Sequence, residues 1–260
     1  MIKFSDTVSC ENTEKDIINA VRKIYIQYQE FMNVKDLPEF KVEFFNVLEE
    51  KSPLCASVRL PSDTTDEYVL NISVDYIKLM QERSVPILYH EFTHILDHET
   101  ILNDQDHSVR RRRLILYTEF HATIMQMKNA TGFKNNDESK LLTLQSKIMK
   151  YENDIRIYKY LKDDLDSYIK TTAKYKLNMK DFEILRNYAI YHIAKKHFAK
   201  CYIKEDCSHL FNVQMFAEVL GEEVLQAEEI LNSEKNDVQT ILELHKINRI
   251  LMERVINNSN

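Results

Sequence analysis

Two glycines and four prolines in 260 residues leave this chain little material for tight turns. Two-residue hairpins depend on glycine or asparagine where the backbone turns left-handed, whereas long helices joined by polar links do not. With long stretches rich in Lys, Glu, Leu and Ile, the expected fold class is α+β, mostly α. A hydrophobic share of 44% is enough to bury a core in one large domain or two small ones.

Residues 13 to 32 place Ile17, Ile18, Val21, Ile24, Tyr25 and Tyr28 at helical spacing, with Asn12 as N-cap. The period then changes. "FKVEFFNV" (40–47), "LCASVRL" (54–60) and "EYVLNISV" (67–74) are short and rich in β-branched or aromatic residues, and they predict three strands of one small sheet. A short helix is expected around residues 74 to 81. Next comes "SVPILYHEFTHILDHE", a helix with Ser84 as cap and Pro86 in a first turn that has no intrahelical use for its N–H. The polar link "ILNDQDH" leads to another helix, which ends at the Asn-Ala-Thr-Gly stop near Gly132.

Beyond residue 137, Leu141, Leu144, Ile148, Tyr151, Ile155, Tyr158, Leu165 and Tyr168 follow a heptad and predict one long helix. Residues 179 to 202, 210 to 232 and 236 to 257 predict three more. The expected organisation is a domain over 1–134 with a three-stranded sheet, then a helical bundle over 135–260.

The chemistry is concentrated in "LYHEFTHILDHE", residues 88 to 99. On a helix, His90 and His94 project from one face about 6 Å apart along the axis, so both imidazoles can reach one tetrahedral ion. Glu91 sits too far round to be a ligand, yet it can reach a water on that ion. Leu88, Phe92, Ile95 and Leu96 form an apolar face for the core. The segment resembles the HExxH motif of the zinc metallopeptidases called zincins, and "HEFTH" matches at each fixed position.

A catalytic zinc needs a third protein ligand. His98 lies about 12 Å along the helix from His90, too far to share the ion, and reads as a cleft-lining or supporting residue. Asp97 and Thr100 stand where the metzincin subclass has glycine and histidine. Asp104, Asp106 and His107, in the connecting link, remain open as ligands. Glu119, in "LYTEFHATIM", is favoured: its helix returns antiparallel beside the motif, and Ala122 allows close approach.

The order of helix, strands, HExxH helix and Glu-x-x-Ala helix resembles the ImmA/IrrE family over roughly residues 10 to 130. That resemblance implies a zincin-like sheet, a Zn2+ ion on His90, His94 and Glu119, and Glu91 as catalytic base. It also implies a protein or peptide substrate such as a transcriptional repressor. No helix-turn-helix is recognisable. Tyr89, His98, Tyr117 and His121 are equal candidates to stabilise the oxyanion.

Other features have plainer readings. The net charge of −6 argues against nucleic acid as a partner. No apolar run is long enough for a membrane span or signal peptide, so the expected location is cytoplasmic. Four cysteines are too few for a disulfide scaffold and are expected as thiols. Arg110 to Arg113 read as a solvated helix start. The tyrosines of the heptad read as core. His197, Cys201, Cys207 and His209 follow no zinc-finger spacing and read as unrelated residues. The function expected is a zinc-dependent endopeptidase; the alternative is a non-catalytic interaction protein with a structural or vestigial metal site.

Overall fold

A computed structural model describes residues 14–45, 56–62, 67–73, 84–135, 139–150, 154–175, 178–233 and 235–258. The predicted cap at Asn12, the helix around 74 to 81, Tyr151, Cys10 and Cys55 lie outside the described residues. Within them the chain is mostly helical with two small sheets, the expected α+β class.

Helix α1 (Glu14–Met32) buries Ile17, Val21, Ile24, Tyr25, Tyr28 and Phe31 on one face. Three strands follow: β1 (Phe40–Phe45), β2 (Ala56–Arg59) and β3 (Tyr68–Ser73). β3 is central, parallel to β1 and antiparallel to β2. Its near-continuous burial fits a strand covered on both faces. Helix α2 (Val85–Thr100) carries the HEFTH motif. Aromatic edges lock it to α1 and β1: Tyr25 meets Phe40 and Phe92 at 4.8 Å each, and Tyr28 meets Tyr89 at 5.2 Å. The Tyr28 hydroxyl also donates to Thr93 at 3.0 Å, so this buried polar group is paired.

Helix α3 (His107–Ala130) returns against α2. It ends before Gly132, whose φ of 75° suits glycine, as the stop signal predicts. Beyond it come the hairpin strands β4 (Lys147–Met149) and β5 (Asp154–Arg156), then α4 (Ile157–Lys174) and α5 (Met179–Tyr202). A 3₁₀ turn (Ser208–Leu210), α6 (Gln214–Leu220), α7 (Glu223–Leu231) and α8 (Val238–Asn258) complete the chain. The other flank of α3 packs on α5 and α8, and one apolar core runs from Ile17 to Val255.

Two predicted helices need correction. The heptad from Leu141 is not one long helix: only α4 is helical, and β4 and β5 pair in front of it. The physical reason is a long-range backbone partner. Leu142 N–H donates to Tyr202 O at 2.7 Å and Leu142 O accepts from Lys204 N–H at 3.1 Å, so these groups are unavailable to a helix. Leu142 is buried in place of Leu141, which is 56% exposed. The helix expected over 210 to 232 is broken at Gly221, whose φ of 127° ends α6. A Cβ there would lie 1.8 Å from the Arg254 guanidinium.

Candidate metal centre

Pro86 opens α2 as expected, but Ser84 makes no side-chain capping bond. The apolar face of α2, with Leu88, Phe92, Ile95 and Leu96, is buried, which turns His90 and His94 toward α3. Glu119 meets them there. Its Oε2 lies 3.4 Å from His90 Nε2 and 3.9 Å from His94 Nε2, and one ligand atom from each residue falls within 4.8 Å of the others. Ligands about 2.0–2.1 Å from a tetrahedral zinc sit roughly 3.3 Å apart, so a small inward adjustment would close the set.

These three residues lie close enough to bind a metal ion. The fit is supported by what the atoms lack. Glu119 Oε2, the oxygen aimed at the two imidazoles, is buried without a hydrogen-bond partner, which is costly unless another group enters. His94 is already oriented: its Nδ1 lies 2.8 Å from Thr118 Oγ1, and with the ring proton on Nδ1 that hydroxyl accepts it and Nε2 is left free to bind a metal. Burial holds His94 down at about 4, so it stays neutral, as a ligand must be. Burial opposes ionisation of Glu119, but His94, His90 and the Tyr191 hydroxyl outweigh it and hold the carboxyl at about 2. Burial also opposes protonation of His90, yet Glu119 and Glu91 push it above its ordinary value. A cation would displace that proton.

Glu91 projects to one side of the triad. Its Oε2 accepts the Val58 N–H at 2.8 Å, which ties it to strand β2. Burial raises its carboxyl to about 7, with Glu119 adding to the rise while His90 and the Val58 N–H oppose it. Such a group exchanges protons near neutral pH.

His90 and Glu91 open onto a cavity of about 310 Å³. Ile87 and Met127 form its inner wall, and Ala56 marks the β2 side. The facing wall comes from the second half of the chain: Ile148 and Met149 on β4, Tyr160 and Asp164 on α4, Tyr191 and Lys195 on α5. Tyr191 stands edge-on to His90 at 6.0 Å between ring centroids. Its hydroxyl is within hydrogen-bonding reach of Glu119.

None of the four oxyanion candidates lines this cavity. Tyr89 packs on Tyr28 and Phe31 in the core. His98 neither lines the cleft nor supports the triad: its Nδ1 bonds the Tyr68 hydroxyl at 2.7 Å, and its ring stacks on His107. Tyr117 and His121 line a different cavity, and His121 bonds Asp97 at 2.7 Å. A hydroxyl that borders the triad and also lines the cavity is that of Tyr191, 101 residues beyond His90. Its only sequence signal is the row of polar residues Tyr188, Tyr191, His192 and Lys195 at helical spacing on α5.

The remaining candidates separate cleanly. Asp104 and Asp106 are exposed and His107 binds Arg110, so none joins the triad. Arg111 and Arg112 are solvated as expected, but Arg110 is buried and donates to His98 O at 2.7 Å. Tyr168 is core, whereas Tyr158 is 39% exposed. His197, Cys201, Cys207 and His209 do not form a metal-binding group, and the triad is the one such group among the described residues. No helix among the described residues is long and apolar enough to cross a membrane. Compared with protein-family models, curated proteins and solved structures, the chain matches none.

Proposed function

We propose that the chain is a cytoplasmic, zinc-dependent endopeptidase that hydrolyses a peptide bond in a protein substrate. The observation that carries this reading is the meeting of His90, His94 and the orphaned Glu119 oxygen beside a separate carboxylate, Glu91, at a cavity. A purely structural metal site has no use for that second carboxylate. Zinc held by the triad would polarise the scissile carbonyl and lower the pKa of a water towards 7.

The chain's own residues do the rest. Glu91 accepts the proton of the attacking water and delivers it to the leaving amine. The Val58 N–H keeps one oxygen of Glu91 fixed during that exchange. Tyr191 faces negative charge developing on the carbonyl oxygen and holds Glu119 in place. Ile87, Met127, Ile148 and Met149 offer apolar contact to substrate side chains and exclude water. The resemblance to the ImmA/IrrE family makes a transcriptional repressor the substrate to try first.

The test is Glu91→Gln, which keeps the shape and the hydrogen bond from Val58 but removes the base. Zinc content and thermal unfolding should match wild type, while hydrolysis of a peptide library or repressor falls about a hundred- to ten-thousand-fold. Equal cleavage by the two zinc-loaded proteins would sink the mechanism.

A further inference from the structure

Away from the metal centre, α5 carries a second linked set of polar side chains. His197 and Cys201 lie four residues apart and project from one helix face. The Cys201 sulfur is 3.4 Å from His197 Nε2, and His197 Nδ1 is 3.0 Å from Asn232 Oδ1, just past the end of α7. An amide oxygen only accepts, so the ring proton sits on Nδ1 and Nε2 turns its lone pair to the thiol. A nucleophile, a base within reach and a third group fixing the base's tautomer are the parts of an activated nucleophile.

The surroundings favour the same chemistry. Cys201 is half-buried and lines a cavity of about 490 Å³. Phe120, Ile124 and Met125 supply apolar wall, Lys128 and Lys235 supply positive charge, and no carboxylate is among the described residues lining it. Reactive cysteines occupy such electropositive, partly open settings. Cys207, six residues on, is the internal contrast. It is buried and donates to Glu205 O at 3.2 Å, and burial with the charges of Asp206 and Glu205 pushes its thiol above the ordinary range.

We propose that Cys201 is a nucleophilic thiol that reacts with small hydroperoxides entering this cavity. The sulfur attacks the outer peroxide oxygen; a sulfur–oxygen bond forms as the oxygen–oxygen bond breaks. The thiol proton passes through His197 to the departing oxygen, which leaves as water or an alcohol. The sulfur is oxidised by two electrons to a sulfenic acid and the peroxide is reduced by two. Nothing in this step involves the metal centre, so it stands or falls separately from the peptidase reading.

The experiment treats the full chain with hydrogen peroxide at pH 7, traps sulfenic acid with dimedone and follows each cysteine peptide by mass spectrometry. Cys201 should acquire the adduct and Cys207 should not. In His197→Gln the Cys201 rate should drop about tenfold or more, since an unassisted thiol is only a few per cent ionised at this pH. An unchanged Cys207 rate then reports an intact fold. Should that variant misfold, Asn232→Ala decides the matter: it leaves the imidazole in place but frees its tautomer, and the Cys201 rate should again fall. A wild-type Cys201 no faster than Cys207, or a rate indifferent to the loss of His197 or Asn232 in a folded protein, overturns the proposal.

Discussion

Lys195 lines the cavity from the wall opposite His90 and Glu91, Glu119 sits beside His90 just outside that lining, and the surroundings of the two differ in kind. Lys195 binds the Asp164 carboxylate and lies 3.2 Å from the Tyr168 hydroxyl, with the rings of Tyr160 and Tyr168 at 5.1 and 5.5 Å. Burial works against its charge, but Asp164 and the two tyrosines more than offset this and hold it well above its ordinary pKa. Glu119 instead presents an oxygen with no hydrogen-bond partner to two imidazole nitrogens. A buried charge whose polar atoms are all partnered is a self-contained strut, while a buried carboxylate oxygen left without a hydrogen bond marks a place for something else.

That contrast can be broken at several points. The largest effect should come from zinc. At a thousandfold excess over its Kd, zinc should raise the unfolding free energy of wild type by about 4 kcal/mol, and that of Glu119→Gln far less, in paired urea titrations. Equal gains would remove Glu119 from the centre. Next, Lys195→Met should destabilise the fold by about 3 kcal/mol, because Asp164 loses its buried partner, while zinc per chain stays at the wild-type value. A loss under about 1 kcal/mol would place the pair among solvent-screened surface bridges.

Acid provides a third test. Burial, aided by Lys195 and Lys196, holds His192 down at about 3, and its Nε2 accepts the Asn212 N–H at 2.9 Å. Unfolded histidine titrates near 6.5, so below that pH the unfolded chain binds the extra proton and stability falls as pH drops toward 3. The slope is about 1.4 kcal/mol per pH unit for each such residue. His192→Gln should flatten the fall between pH 6 and 4, and an unchanged slope would mean that His192 is protonated in the folded state. The smallest effect is expected for Tyr191→Phe. Zinc should bind about tenfold more weakly in chelator competition, with metal-free stability altered by less than about 1 kcal/mol. Undiminished affinity would detach Tyr191 from the centre.

The triad was legible because its parts are local. His90 and His94 are one helical turn apart, and a short link obliges α3 to return beside α2, bringing Glu119 within reach. Tyr191 and Lys195 arrive through packing of α5 on α3, which no nearby spacing encodes. The three strands were legible from their β-branched runs. The hairpin was not, because the apolar spacing of Ile148, Ile155, Leu165 and Tyr168 satisfies a heptad whether or not the backbone between them is helical. What decided against the helix was Tyr202, whose carbonyl takes the Leu142 N–H from 60 residues away.

The triad and the cavity wall that faces it also differ in birth order. His90, His94 and Glu119 come from α2 and α3, whereas Tyr191 follows Glu119 by 72 residues (191 minus 119). At about 5–20 residues per second, the ribosome makes Glu119 roughly 4 to 14 s before Tyr191. During that interval the nascent triad has no facing wall, so its open side closes only once α5 has been made.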